Sequence, residues 1–427
     1  MSVELTRLAN GLTVMSSTMP HLETLALGIY AASGSRHEEP SEHGISHLLE
    51  HMAFKGTARR DARAIAEEIE SAGGETNAAT SVEATAYYAR MLKGDAGLAM
   101  DVLGDILLNP LFAEPDLAVE KDVITQEIRA THDQPDDIVF DLFEATAFPD
   151  QPLGRPILGT EASVARIGSQ ALSAHLRAHY RPSHMVVAAA GAIDHDELVR
   201  HAEAQFGGLN PGSRPAPAAA AYRGGTGWHD GPFEQTTLVL GFPGPSYLER
   251  DFTTAQVLAA ILGGGSSSRL FQEAREKLGL CYSIYAFVTG FSDAGLLGVH
   301  ASTGPGEVDR LREVIVSELV ALAERGPSEA ETRRVKTQLR AGLLMALESS
   351  VARCEQIARQ MLAYGRPLSM TEMVERIEAV GARDVRDLVR RLMTAARPTW
   401  AEVGPGASAG GHERVEALLD EAGLAVV

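Results

Sequence analysis

The sequence predicts an α+β protein made of two α/β domains in tandem, each with a mixed sheet flanked by helices. Apolar strand-like and amphipathic helix-like segments follow a similar order in the two halves of the chain. A segment rich in Gly, Pro and Ala separates these halves. With 427 residues, of which 45% are hydrophobic, the chain can bury more than one core. Repeats of one α/β unit fit this pattern better than a single large sheet.

The domain boundary is predicted at residues 207–227, which read GGLNPGSRPAPAAAAYRGGTG. This composition has little hydrophobic periodicity and is typical of an interdomain linker. Residues 1–206 are therefore expected to form the first domain and residues 228–427 the second.

In the first half, short apolar runs predict strands and longer amphipathic runs predict helices. A double glycine before residue 75 suits a tight turn into a strand. The predicted order is strand 12–17, strand 24–35, a helix containing 47–51, a strand within 73–90, two helices, and strand 184–193.

The second half repeats this alternation. Its predicted order is strand 236–244, helices 253–261 and 268–279, strands 282–291 and 294–303, helices 306–325 and 329–347, and strand 399–404.

The run HLLEH, from His47 to His51, carries the strongest indication of function. On a helix, His51 lies about 40° from His47, and Glu50 lies about 60° to the other side. A catalytic zinc ion needs such a pair of ligands, a third ligand, and an open position for water, whose proton a nearby carboxylate can accept. The alternative is an amphipathic helix whose histidines only border its polar edge.

A second predicted helix supplies candidates for the third ligand. Glu120 and Glu127 are seven residues apart and so lie within about 20° of each other on one helical face. One of them can bind zinc while the other holds a ligand histidine. The alternative is that both are solvated surface residues.

Three segments together resemble a known family: HGISHLLEHMAFKGT, AGGETNAATSVEATAYYARML and EKDVITQEI. They resemble the inverzincin metallopeptidases, which include pitrilysin, insulin-degrading enzyme and the mitochondrial processing peptidase, and in particular the bacterial processing-peptidase-like subfamily. The resemblance implies that His47, His51 and Glu127 bind one Zn²⁺ per chain, that Glu50 is the general base, and that Glu120 supports a ligand. It also implies two homologous domains, only the first carrying zinc, that form half of a metallopeptidase clamshell.

The second half contains RLFQEAREKLGLCYSIYAF, in which Gly279 separates Arg275 at a helix end from Tyr282 at a strand start. Taken alone, these two residues fit an ion-paired surface Arg and a half-buried strand Tyr. The resemblance implies instead that both bind substrate and that Tyr282 polarises the scissile carbonyl as a catalytic group.

The strand after the double glycine is a candidate for binding an extended peptide by strand addition. Small side chains at Ala78 and Ala79 would let another backbone approach, and Asn77 would then hold the substrate main chain. Ordinary core packing, with Asn77 in a turn, is the alternative.

Charge and hydrophobicity indicate which partners the protein can have and where in the cell it is expected. The net charge of -19 and pI near 5.2 argue against a nucleic-acid partner. The N-terminus lacks a basic start and an apolar core, and we see no run of about 18 apolar residues, so we expect a soluble cytoplasmic protein without a membrane partner. Cys281 and Cys354 have no metal-type spacing.

The predicted function is a zinc-dependent endopeptidase that hydrolyses peptides or short unfolded polypeptides, most simply as a homodimer. Three alternatives remain open at this stage. The chain can be a non-catalytic scaffold or partner subunit of a heterodimeric processing peptidase, a peptidase dedicated to the maturation of one cofactor peptide, or a metal-binding module without hydrolysis.

Overall fold

The computed structural model describes residues 2–424, which form two sheets surrounded by helices. The strands are β1 (Glu4–Arg7), β2 (Thr13–Thr18), β3 (Thr24–Ala31), β4 (Glu75–Thr80), β5 (Thr85–Leu92), β6 (Met185–Gly191), β7 (Gly225–His229), β8 (Thr236–Gly244), β9 (Cys281–Gly290), β10 (Gly295–Thr303) and β11 (Thr399–Val403).

The helices of the first half are α1 (Ile45–Ala53), α2 (Ala62–Ser71), α3 (Ala96–Leu108), α4 (Glu114–His132), α5 (Pro135–Ala147), α6 (Glu161–Arg166), α7 (Ser169–His179) and α8 (His195–Phe206). Those of the second half are α9 (Phe252–Gly263), α10 (Val308–Arg325), α11 (Glu329–Ala346), α12 (Ser350–Tyr364), α13 (Met370–Glu378), α14 (Ala382–Ala395) and α15 (Gly410–Glu421), with a π-type helix at Phe271–Lys277. No helix within residues 2–424 combines the length and apolar character needed to cross a membrane.

The two sheets share one topology, except that the first has an additional edge strand, β1. The first has the order β4-β5-β3-β6-β2-β1, and the second has the order β9-β10-β8-β11-β7. In each sheet one strand pair is parallel, β2 with β6 and β7 with β11, and the other pairs are antiparallel. This correspondence confirms the predicted fold class of two repeated α/β domains with mixed sheets.

The chain forms two compact units, each discontinuous in sequence. Unit 1 contains the described residues up to Arg129, Pro156–Pro217 and Leu343–Leu368, and unit 2 contains Ala130–Arg155, Ala218–Gly342 and the described residues from Ser369 onward. Each unit therefore includes one helix from the opposite half of the sequence. Helix α12 packs on β6 and β3 in unit 1, and α5 packs on β11, β7 and β8 in unit 2.

Both faces of the first sheet are buried. One face packs against a core that includes residues of α1, α3 and α4, and the other face packs against α12 through Cys354, Ile357 and Ala358. Burial on both faces explains why β6 reads MVVAAAG, a continuous apolar run without alternation. The sheet thus gives α1 and α4 a rigid support.

The structure contains more elements than the sequence predicts, notably in two regions. Residues 73–90 were predicted as one strand but contain two, β4 and β5, which form an antiparallel hairpin. The turn between them contains no Gly or Pro; instead the Ser81 backbone N–H and hydroxyl both donate to the Ala84 carbonyl. Residues 350–395 were assigned no element, yet they form α12, α13 and α14.

Candidate metal centre

Helix α1, which carries HLLEH, is capped at its start by a residue upstream of it. The cap position, Gly44, has a φ of +91°, and a Cβ there would lie 2.8 Å from the Leu158 carbonyl oxygen, so glycine is required. The Glu38 carboxylate accepts hydrogen bonds from the backbone N–H groups of Gly44 and Ser46, each at 2.8 Å. A carboxylate at a helix N-terminus is also favoured by the helix dipole, so α1 has a fixed beginning.

Three side chains converge where α1 faces α4. His47 Nε2 lies 3.9 Å from Glu127 Oε2, and His51 Nε2 lies 3.8 Å from the same oxygen. One ligand atom from each of the three residues lies within 4.8 Å of the others. Tetrahedral zinc with bonds of about 2.1 Å separates its ligand atoms by roughly 3.4 Å, so this group fits the ion closely.

The unsatisfied atoms at this centre also fit a metal. Glu127 Oε2 is buried and has no hydrogen-bond partner among the described residues. Burial and the neighbouring His51 lower the pKa of His47 to about 4. His47 is therefore neutral at pH 7, which is the form that binds a metal ion. A buried acceptor that faces two imidazole nitrogens costs stability unless something occupies the space between them.

Glu120 holds His51 from the side away from Glu127. Its Oε2 lies 3.0 Å from His51 Nδ1, and its Oε1 lies 2.7 Å from the Lys55 ammonium. Burial acts to raise the pKa of Glu120, but the hydrogen bonds from Lys55 and His51 outweigh burial and lower it. Glu120 therefore stays ionised and accepts the His51 N–H, which leaves Nε2 of the ring directed toward Glu127.

Glu50 lies beside this group with one carboxylate oxygen available. Its Oε2 is buried and makes no hydrogen bond with any described residue. Burial raises the pKa of Glu50 above its usual value, although hydrogen bonds from the side chain and backbone of Thr80 oppose the shift. A partly desolvated carboxylate with a free oxygen is suited to accept and release a proton.

The candidate peptide-binding residues lie on β4, at the edge of the first sheet. Asn77 is exposed and Ala78 is buried. The Ala78 backbone N–H donates to the Asn77 side-chain oxygen at 2.8 Å. A strand that added to this edge would exchange that local hydrogen bond for one with its own backbone.

Arg275 and Tyr282 belong to unit 2. Arg275 lies in the π-type helix and Tyr282 is the second residue of β9, as the sequence predicted for the two elements. The Arg275 guanidinium stacks on the rings of Phe271 and Tyr282, at 4.6 and 5.0 Å from their centroids. Tyr282 is 77% exposed, so it is not the half-buried strand residue of the alternative reading.

Sequence reasoning missed two residues that support the centre, Glu38 and Lys55. Lys55 is part of the segment HMAFKGT, but it follows the end of α1, so helical periodicity does not predict its direction. Glu38 precedes α1 by several residues, and no sequence motif of fixed spacing links such a residue to a helix N-terminus.

Comparison with known proteins identifies relatives along almost the whole chain. Residues 13–161 match the family described as Insulinase (Peptidase family M16), and residues 166–339 match the Peptidase M16 inactive domain. A protein of Rickettsia felis named as an uncharacterized zinc protease is 40% identical over 94% of this chain and 97% of its own. An uncharacterized zinc protease of Bacillus subtilis is 35% identical over 90% of this chain and 94% of its own.

Two solved structures share the fold. A peptidase M16 inactive domain from Pseudomonas fluorescens superposes with a TM-score of 0.88 at 21% identity, covering 95% of this chain and 98% of that one. A protease from Helicobacter pylori gives the same TM-score and identity, covering 95% of this chain and all of that one (100%).

Proposed function

The chain belongs to the insulinase family of peptidases, peptidase family M16, and on this basis we propose that it is a zinc-dependent endopeptidase. The observation that carries the proposal is the convergence of His47, His51 and Glu127, with their ligand atoms within 4.8 Å of one another and the Glu50 carboxylate beside them. Its substrates are peptides or short unfolded polypeptides, since a strand edge recognises backbone with little dependence on sequence.

In this mechanism His47, His51 and Glu127 hold the ion and Glu50 moves the proton. Bound Zn²⁺ supplies Lewis acidity, which lowers the pKa of a coordinated water toward ~7 and polarises a carbonyl group. Glu50 accepts the proton of the attacking water on its free oxygen and returns it to the departing amine nitrogen. The raised pKa of Glu50 suits the first step, because a stronger base accepts the proton more readily.

Substrate binding in the proposal begins with the main chain of the peptide. An extended peptide adds to the free edge of β4, where Asn77 and the Ala78 backbone form hydrogen bonds with its main chain. Thr80 ends this strand beside Glu50, so one end of a peptide aligned along β4 lies close to the base. Arg275 and Tyr282 also bind the peptide, and the Tyr282 hydroxyl donates to the oxygen of the scissile carbonyl.

One chain carries both the candidate zinc ligands and the Arg275/Tyr282 pair. The proposal therefore requires no second kind of subunit, and a homodimer in the cytoplasm is its simplest form. Light scattering of the purified chain measures the oligomeric state.

The proposal is tested by incubating the purified protein with a mixed peptide library and reading cleavage by mass spectrometry. We expect cleavage that disappears with a chelator and returns when Zn²⁺ is added back. Cleavage that persists in chelator would reject the metal mechanism. Stoichiometric zinc binding without cleavage would leave a metal-binding module, and cleavage of one peptide only would identify a dedicated processing enzyme.

A further inference from the structure

Lys55 is placed to act on the candidate metal centre through Glu120. The Lys55 ammonium lies 2.7 Å from Glu120 Oε1, and His51 Nδ1 lies 3.0 Å from Glu120 Oε2. The Glu120 side chain is only 5% exposed, so these two partners define its orientation. Resting on the proposed function, we propose that Lys55 is a positioning residue for zinc: it fixes the Glu120 carboxylate, and Glu120 in turn fixes the His51 ring.

His51 is the imidazole that needs this support. Its Nε2 faces Glu127, and its Nδ1 is bonded to Glu120. The other histidine of the pair, His47, has a buried Nδ1 without a hydrogen-bond partner among the described residues. Of the two rings, His51 is therefore the one whose Nδ1 is held by a hydrogen bond among the described residues. If the Glu120 carboxylate becomes less ordered, the His51 ring loses this support and binds the ion less well.

Lys55 is itself held in place by the chain around it. Its backbone N–H donates to the Met52 carbonyl at 3.3 Å, which continues the end of α1. Two residues further on, the Thr57 hydroxyl donates to the buried Asp105 carboxylate at 2.7 Å. Arg60 also donates to Asp105, at 2.9 Å. The segment after α1 is thus anchored to α3, so the lysine stem starts from a fixed backbone.

A positioning role and a simple charge effect make opposite predictions. A cation close to a metal site repels the ion, so removal of Lys55 by itself would tighten zinc binding through Coulomb's law. If Lys55 instead orders Glu120 and His51, its removal weakens zinc binding. Changes to groups that support metal ligands weaken metal affinity about 10- to 100-fold. The sign of the change therefore separates the two roles.

The test measures zinc affinity of metal-free protein by competition with a chromophoric chelator, without any peptide substrate. We expect Lys55→Met to bind zinc about 10-fold more weakly than the unmodified protein. Lys55→Arg, which keeps a cationic donor, should recover most of that loss. Lys121→Met is the matched control, because Lys121 lies next to Glu120 in sequence but its ammonium bonds to the Ala165 carbonyl. Its zinc affinity should not change.

A double-mutant cycle with Glu120→Gln tests whether Lys55 affects zinc affinity through Glu120. Lys55→Met should cause no further loss when Glu120→Gln is already present. Equal losses in both backgrounds, or tighter zinc binding by Lys55→Met, would overturn the inference while leaving the proposed peptidase intact. Failure of the unmodified protein to bind zinc would instead reject the proposed function itself. Circular dichroism of the metal-free variants checks folding, and Lys55→Gln serves if Lys55→Met does not fold.

Discussion

Thr80, the last residue of the edge strand β4, lies beside the carboxylate of Glu50 in helix α1 and opposes the rise that burial causes in the pKa of Glu50. This contact joins a strand edge, which can bind peptide backbone, to a carboxylate that can carry a proton. Thr80 also reaches the Ser46 carbonyl in the first turn of α1, at 3.5 Å. The candidate base and the candidate peptide-binding edge are therefore parts of one packed unit.

Substitution of Glu127 should remove the stabilisation that zinc gives to the folded protein. A ligand that binds only the folded state at 100 times its Kd raises the free energy of unfolding by about 2.7 kcal/mol. We expect added Zn²⁺ to raise the melting temperature of the unmodified protein and to leave that of Glu127→Ala almost unchanged. Glu114→Ala, an exposed position on the same helix, is the control and should respond like the unmodified protein.

Substitution of Glu50 should separate metal binding from hydrolysis. Glu50→Gln keeps the size and the Thr80 contact but cannot accept a proton, so we expect kcat to fall by at least about 100-fold. Zinc content, measured by atomic absorption, should remain at one ion per chain. A Glu50→Gln protein that cleaves peptides at the normal rate would contradict the assignment of Glu50 as the base.

The local pattern of the site could be predicted from sequence, because it depends on the geometry of single helices. The spacing of His47, Glu50 and His51 determines their positions on α1, and the spacing of Glu120 and Glu127 does the same on α4. Where two helices meet is a tertiary property. The sequence indicates that α1 and α4 meet only through its resemblance to a family. The contact of Lys55 with Glu120 was not predicted at all.

The exchange of α5 and α12 between the two halves is beyond sequence reasoning for a related reason. Each helix has an apolar face, which predicts that it packs on something but not on which sheet. Because the two sheets share one topology, the outer face of either sheet is a comparable surface for such a helix. Similar α/β repeats can therefore place a helix on either sheet, and only the tertiary structure shows the exchange.

The buried Asp105 should be a major source of stability in unit 1. Its side chain is fully buried and accepts hydrogen bonds from Thr57, Arg60 and Asn109. Asp105→Asn leaves the Arg60 guanidinium without its buried counter-charge, and we expect a loss of about 3 kcal/mol in the free energy of unfolding. Urea denaturation measures it. The exposed Asp122→Asn should change this energy by less than about 0.5 kcal/mol.

We expect the ionised Glu331 carboxylate to stabilise unit 2 in a way that is lost in acid. Burial acts to raise its pKa, but a two-point ion pair with Arg269 and hydrogen bonds from Ser328 outweigh burial and lower the pKa from 4.5 to about 2. Since the folded-state pKa is depressed, the stabilisation is complete above pH 4.5 and is lost as the pH falls toward 2.

The measurement compares urea denaturation of the unmodified protein with that of Glu331→Gln between pH 7 and pH 3. We expect Glu331→Gln to be about 2 kcal/mol less stable at neutral pH, with a difference that is constant down to about pH 5 and then shrinks. Glu329→Gln, at an exposed position in the same helix, should stay within about 0.5 kcal/mol of the unmodified protein. A difference that grows on acidification would contradict the ion-pair explanation.

The hydroxyl of Tyr282 can be tested without disturbing the fold, because this side chain is 77% exposed. Tyr282→Phe keeps the ring that stacks on Arg275 and removes only the hydrogen-bond donor. If the hydroxyl donates to the oxygen that gains charge in the transition state, kcat should fall by about 100-fold with little change in melting temperature. Tyr285→Phe is the matched control on the same strand; its ring stacks on His300, and we expect normal turnover. Equal kcat values for Tyr282→Phe and the unmodified protein would limit Tyr282 to substrate binding through its ring.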